Sequence, residues 1–338
     1  MKKWTAVLAA LLLAAAGSFG GVVKSQKTEI SFKGFGSFNN TSTEKLAADK
    51  MATSSESKFD GKGIMGSLVV KNLLPSGRTG QIVDLAAMTL TQIDVKRKEY
   101  TVSSIENFAE KRRKAMEGQN KKDQEPAQDS EYRIIKSEFK VDASGESKSL
   151  NGFACRKFTA LWTVDWENVR TKDKGTDKLE TVLWTTPISG EFQGALAEEK
   201  TFYLAYMKAM GFDADKTQQD ILGTEWLNLL ALFDPAGGKS KLVPDKAVIA
   251  MEMKKIEGYP IVIDGKYFPA PKPKAAEDED NGGGGGLLGK LGKSLLKKKP
   301  NPEEENAPAV AFYTEVTSIA AGAVDAAAFQ PPADYKKK

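Results

Sequence analysis

Long runs in which apolar and polar residues alternate one for one constrain this chain more than any other feature. Between Phe153 and Val169, Trp162, Val164 and Trp166 stand in phase against Leu161, Thr163 and Asp165. A period of two places successive side chains on opposite faces of a β-strand, one face for a core and one for water. The same pattern opens after Glu29 with Ile30 and Phe32. It returns in Gln81–Leu85, Met88–Asp94 and Glu99–Val102, a three-strand meander with the charged turn 95–98 between its last two members. Further strands are expected at Tyr132–Val141, Val248–Glu257, Pro260–Asp264 and Ala309–Ile319, and Leu179–Thr185 is the expected hairpin partner of the long strand, stopped by Pro187.

Helical spacing is confined to three places. Ile105 and Phe108 begin a polar helix ending near Gly118. Phe192–Met210 gathers Leu196, Phe202, Tyr203 and Tyr206 near one face, and Asp220–Phe233 does so with Trp226, Leu229 and Leu230. The polar stretch 39–63 reads as a loop, 120–130 as a linker, and 270–307, with five consecutive glycines, as a disordered insertion. Short connections and strands on both sides of the helices predict one α+β domain over 17–338, mainly β, with an antiparallel sheet.

Composition excludes much chemistry. The 338 residues include no histidine and one cysteine. Ser-His-Asp and Cys-His nucleophiles, HExxH zinc sites, disulfides within the chain and Cys-rich metal clusters are therefore impossible, and no cofactor or metal site is expected. Cys155 has no imidazole to activate it and reads as a small buried hydrophobe. The remaining catalytic option is a carboxylate pair, for which Asp165 and Glu167 on one strand face are the candidates, as in a hydrolase.

The formal charge of +4 is local in origin. With Lys2, Lys3, Lys297–Lys299 and Lys336–Lys338 set aside, all read as lying in removable or flexible segments, acidic residues outnumber basic ones. That argues against nucleic acid as a partner. Residues 1–16, with Lys2-Lys3, the apolar Ala6–Ala16 and small residues before Gly17, read as an export signal too short to anchor in a membrane. No cysteine follows it for lipid attachment, so a periplasmic or secreted protein is expected.

Two nucleotide motifs are approached without their context. Gly61–Gly66 spells GxGxxG, but polar Ser54–Asp60 precedes it where a buried strand is required. The insertion nearly spells a P-loop, with Leu287 or Leu291 at positions that need glycine or a hydroxyl. Read as a helix, the same tract is amphipathic: Leu287, Leu288, Leu291, Leu295 and Leu296 oppose Lys290, Lys293, Lys297 and Lys298, a pattern suited to an anionic membrane or a partner.

Several short segments, in order, carry a resemblance: Gln92-Ile93-Asp94 with Lys98–Thr101, Asn151–Phe158, Leu183–Pro187, Glu257–Ile261, Glu315–Ile319 and Phe329–Tyr335. They resemble an exported bacterial β-rich family of unknown function, itself similar to the periplasmic lipoprotein-carrier and sigma-regulator sensor fold. The resemblance implies a curved antiparallel sheet, a half-barrel, with helices covering its concave side, and a concavity able to hold acyl chains or an apolar peptide. It implies no catalytic residues. The expected function is thus an envelope protein without enzymatic activity that binds a lipid or other hydrophobic ligand. Trp162, Trp166, Trp184, Phe202, Tyr206, Trp226 and Leu230 are the candidate pocket residues. The alternative is a scaffold that docks through 287–299.

Overall fold

Among the described residues, twelve strands join in one open, curved sheet. The computed structural model describes residues 18–61, 76–105, 132–211, 246–270 and 307–338. The chain runs through β1 (Ser18–Phe32), β2 (Gly36–Ala47), β3 (Lys50–Gly61), β4 (Gly77–Asp84), β5 (Thr89–Asp94), β6 (Glu99–Ser104), β7 (Tyr132–Leu150), β8 (Phe153–Asn168) and β9 (Lys174–Thr186). Helices α1 (Gly190–Ala209) and α2 (Lys246–Met253) follow, then β10 (Tyr259–Phe268), β11 (Val310–Asp325), a 3-10 turn (Ala326–Phe329) and β12 (Lys336–Lys337).

Sheet order is β12-β6-β5-β4-β3-β2-β1-β11-β10-β9-β8-β7. Eleven strands thus form an up-and-down meander whose first and last members, β1 and β11, pair with each other. The break in the ring falls between β6 and β7. Every neighbouring pair in the meander is antiparallel, so its odd number makes β6 and β7 run the same way, with β6 ending at one rim of the sheet and β7 beginning at the other.

The register converts sequence alternation into continuous apolar rows. One row runs Val22, Leu46, Met51, Val83, Leu90 across β1 to β5. Another runs Phe139, Trp162, Leu179, Tyr267, Val310, Phe32 across β7 to β11 and on to β1. Both lie on the face toward the helices. Helix α1 packs Ala195 and Phe202 on the first row, and α2 packs Ile249 and Met253, one helical turn apart, beside the second. On the other face, residues two apart along a strand form ion pairs, as Lys136–Glu138 at 2.7 Å, Lys140–Asp142 at 2.9 Å and Lys178–Glu180 at 2.7 Å. Such exposed pairs contribute about 0–1 kcal/mol each and mark a solvated surface.

Several expectations are corrected. The segment read as the polar loop 39–63 is, through Gly61, the hairpin β2–β3, in which Ser57 donates to Asn40 Oδ1 at 3.0 Å. The strand expected at Val248–Glu257 is instead helix α2 ending in a turn. The terminal lysines 336–338 are not a free tail: Lys336 and Lys337 form β12, parallel to β6, and the Lys336 and Lys338 amides donate to the carbonyls of Lys98 and Tyr100, each at 2.9 Å. Strand β1 begins at Ser18, well before Glu29, and β7 and β11 run past their expected ends to Leu150 and Asp325. Helix 192–210 is present as α1. Of the expected helix at 105–118 only Ile105 is described; the helix at 220–233, the linker 120–130, the signal 1–16 and nearly all of the insertion lie outside the described residues.

Candidate functional site on the concave face

The side chains proposed for a pocket do not converge. Trp162 and Trp166 lie on the helix-facing side of β8, 3% and 7% exposed. Trp162 Nε1 donates to Ser137 Oγ at 3.1 Å, and Trp166 Nε1 donates to Asp177 Oδ1 at 3.1 Å. Trp184 follows Leu183 on β9 and so points to the opposite face, where the Lys148 ammonium sits 4.0 Å from its ring centroid. Phe202 and Tyr206 belong to α1, over the other half of the sheet, their ring centroids 6.2 Å apart. Trp226, Leu230 and the docking residues Leu287, Leu288, Lys290, Leu291, Lys293, Leu295, Leu296, Lys297 and Lys298 lie outside the described residues.

A polar cluster that the sequence reading missed lies under α1. Lys24, on the inward phase of β1, pairs with Glu199 of α1 and stands 3.6 Å from Glu44 of β2. Tyr203, one turn beyond Glu199, donates its hydroxyl to Glu44 Oε2 at 2.7 Å. Burial opposes the Lys24 charge, but the surrounding acidic groups more than offset it and hold its pKa above the ordinary lysine value. Burial raises the Glu199 carboxyl and the Tyr203 phenol. The one available signal was a lysine in phase with Val22, Ile30 and Phe32.

Asp177 organises the other half. Its carboxylate accepts from Trp166, from the Tyr267 hydroxyl at 3.0 Å and from the Ala270 amide at 2.8 Å. Beside it, Ala309 N donates to Tyr267 O at 2.8 Å, and Lys33 N donates to Ala309 O at 2.9 Å. Ala270 and Ala309 are thereby pinned to the sheet. Thr181, between Ala160 and Gly265 in the register, is buried on the concave face, and its hydroxyl has no hydrogen-bond partner among the described residues.

The carboxylates considered for catalysis are engaged elsewhere. Asp165 accepts from Thr176 Oγ1 at 2.7 Å. Glu167 accepts from Arg133 at 3.0 Å, and that guanidinium lowers its pKa, whereas a general acid needs a raised one. Cys155 is buried, and burial raises its thiol pKa. Surface depressions of ≈ 270 and ≈ 330 Å³ are lined by other residues, among them Lys27, Asn39 and Tyr313 in the first and Arg156, Ile188 and Glu257 in the second. Among the described residues, no group of three or more Cys, Asp or Glu side chains could hold a metal ion.

Compared with family models, curated proteins and solved structures, the chain matches none.

Proposed function

We propose that the protein is an exported, non-enzymatic carrier that takes a hydrophobic ligand, a lipid acyl chain or an apolar segment, against the concave face of its sheet. The observation that carries this reading is the pair of apolar cross-strand rows on the concave side of a meander whose two end strands, β6 and β7, do not pair with each other among the described residues. An unclosed sheet can widen without breaking a ladder of hydrogen bonds, and an apolar face gains about 25 cal/mol for each Å² it removes from water. Attachment of α1 through a buried ion pair, rather than through apolar contacts alone, supports a cover held in a defined place. Native mass spectrometry of the exported chain tests the reading: co-purified lipid, or displaceable binding of a fluorescent naphthylamine probe, is the expected result. A ligand-free chain that does not bind the probe overturns it.

A second reading, docking through 287–299, is supported by the hydrogen bonds that hold Ala270 and Ala309 to the sheet.

A further inference from the structure

We infer that one rim of the sheet is a docking edge for an anionic bilayer. The meander places the β1–β2, β5–β6 and β8–β9 turns at one rim, and the β2–β3, β4–β5 and β7–β8 turns at the other. The two sets differ sharply in charge. The first carries Lys33, then Lys96, Arg97 and Lys98, then Arg170 and Lys172 with Lys174 opening β9, and Asp173 is the one acidic residue within these turns. The second set, residues 48–49, 85–88 and 151–152, has no cation and one acid, Asp49, and the one lysine that opens a strand beside it, Lys50, pairs with Asp84 at 2.7 Å.

Flanking acids temper the charge without cancelling it: Asp94 pairs with Arg97 at 3.6 Å, Asp334 with Lys98 at 2.8 Å and Glu167 with Lys172 at 3.6 Å. The β12 lysines lie beside the start of β6 at the same rim. Val169, 47% exposed, adds an apolar side chain at the tip of the β8–β9 turn.

A planar partner fits this arrangement. Successive basic turns are four strands apart in the sheet order, about 19 Å along the sheet at the usual strand spacing. Three tips so far apart cannot close around a small anion, but they can rest together on an extended negative surface. Ala270 and Ala309, the described residues that follow β10 and precede β11, are held by hydrogen bonds at this same rim. This inference rests on the docking reading but assigns the electrostatic contact to the folded turns.

Vesicle sedimentation with the chain from Gly17 onward, which keeps every described strand, tests it. Binding is expected to vesicles of phosphatidylcholine with about 30% phosphatidylglycerol, falling with salt as juxtamembrane cations require, and absent with phosphatidylcholine alone. Reversing Lys96 and Arg97 to Glu, or Arg170 and Lys172 to Glu, should weaken binding about fivefold or more per charge removed, and Lys45→Glu with Lys254→Glu, away from this rim, should not. Circular dichroism checks that each variant is folded. Wild-type behaviour of the rim variants, equal loss in the control, or equally tight binding of single-stranded DNA overturns the inference. If deleting 282–299 alone abolishes binding while the rim variants bind normally, the inference fails and the tract reading survives. Probe binding to the concave face is scored separately and is independent of either result.

Discussion

Lys24 of β1 and Glu199 of α1 form an ion pair buried between the sheet and the helix that covers it, within reach of Glu44. Removing one member leaves the others charged without compensation in a poorly solvated place. Lys24→Met should therefore cost about 3–5 kcal/mol in urea unfolding, and Lys24→Met combined with Glu199→Leu should recover part of that loss. A loss below about 1 kcal/mol in the single variant would mean that the cluster is hydrated, as surface pairs are.

Acid should weaken the fold through Asp84. Burial alone would raise this carboxyl, but Lys50 at 2.7 Å and the Ala87 amide at 2.8 Å outweigh it, and the pKa is depressed. A depressed folded-state pKa gives stability that is present above the ordinary carboxylate value near 4 and is lost as pH falls through the folded value. Asp84→Asn should thus be less stable than the parent at pH 7, by about 1 kcal/mol or less because both groups are partly solvated. Thermal melts of the two should converge toward pH 3.

Gly265 lies directly opposite Phe312, and a Cβ built on it would meet the Phe312 ring at 2.0 Å. The ring occupies the space that a side chain would need. Gly265→Val, favourable by strand propensity alone, should destabilise by about 1–3 kcal/mol through overpacking. Unfolding by chemical denaturant measures this, and a neutral result would show that Phe312 can turn aside.

Thr181→Val should act in the opposite direction. The hydroxyl is buried without a partner among the described residues, and valine has almost the same shape. Replacing an unsatisfied buried polar atom removes a desolvation cost of about 1–3 kcal/mol, so the variant should melt higher. A lower melting temperature would assign the hydroxyl a partner, whether water, ligand or chain.

The hairpin β8–β9 was legible because Phe158, Ala160, Trp162, Val164 and Trp166 on one strand and Leu179 and Leu183 on the other keep an apolar phase, so alternation and the Pro187 stop mark it without tertiary information. Strands β2 and β3 carry Asn39 to Thr43 and Thr53 to Lys58 with almost no apolar phase. They are strands because β1 and β4 supply ladders on both sides, an influence that local composition does not record. Helix α2 was misread for the reverse reason: Val248, Ile249 and Met251 form a short apolar run that suits either period, and only its seat against β7 decides. The Asn151-Gly152 turn, with φ of 50° and 85°, matches the Asn-Gly preference of two-residue hairpins and marks the β7–β8 reversal in the sequence itself. Lys24, Glu44, Glu199 and Tyr203 are scattered over 180 positions of the chain, and only register and helix docking bring them together.

The pairing of β1 with β11 has a consequence for how the molecule is made. Phe32 meets Val310, and Ser18 meets Asp325, so the earliest long strand waits for the latest one. Until β11 arrives, the hairpins on either side can assemble from local contacts, but β1 and β10 each present an unpaired edge. Joining such distant segments closes a very large loop, which slows folding and prolongs the life of those edges. Self-association during synthesis or refolding should accordingly depend on the C-terminal strand. A chain cut after Ala309 would keep β1 to β10 and yet be prone to stack edge to edge.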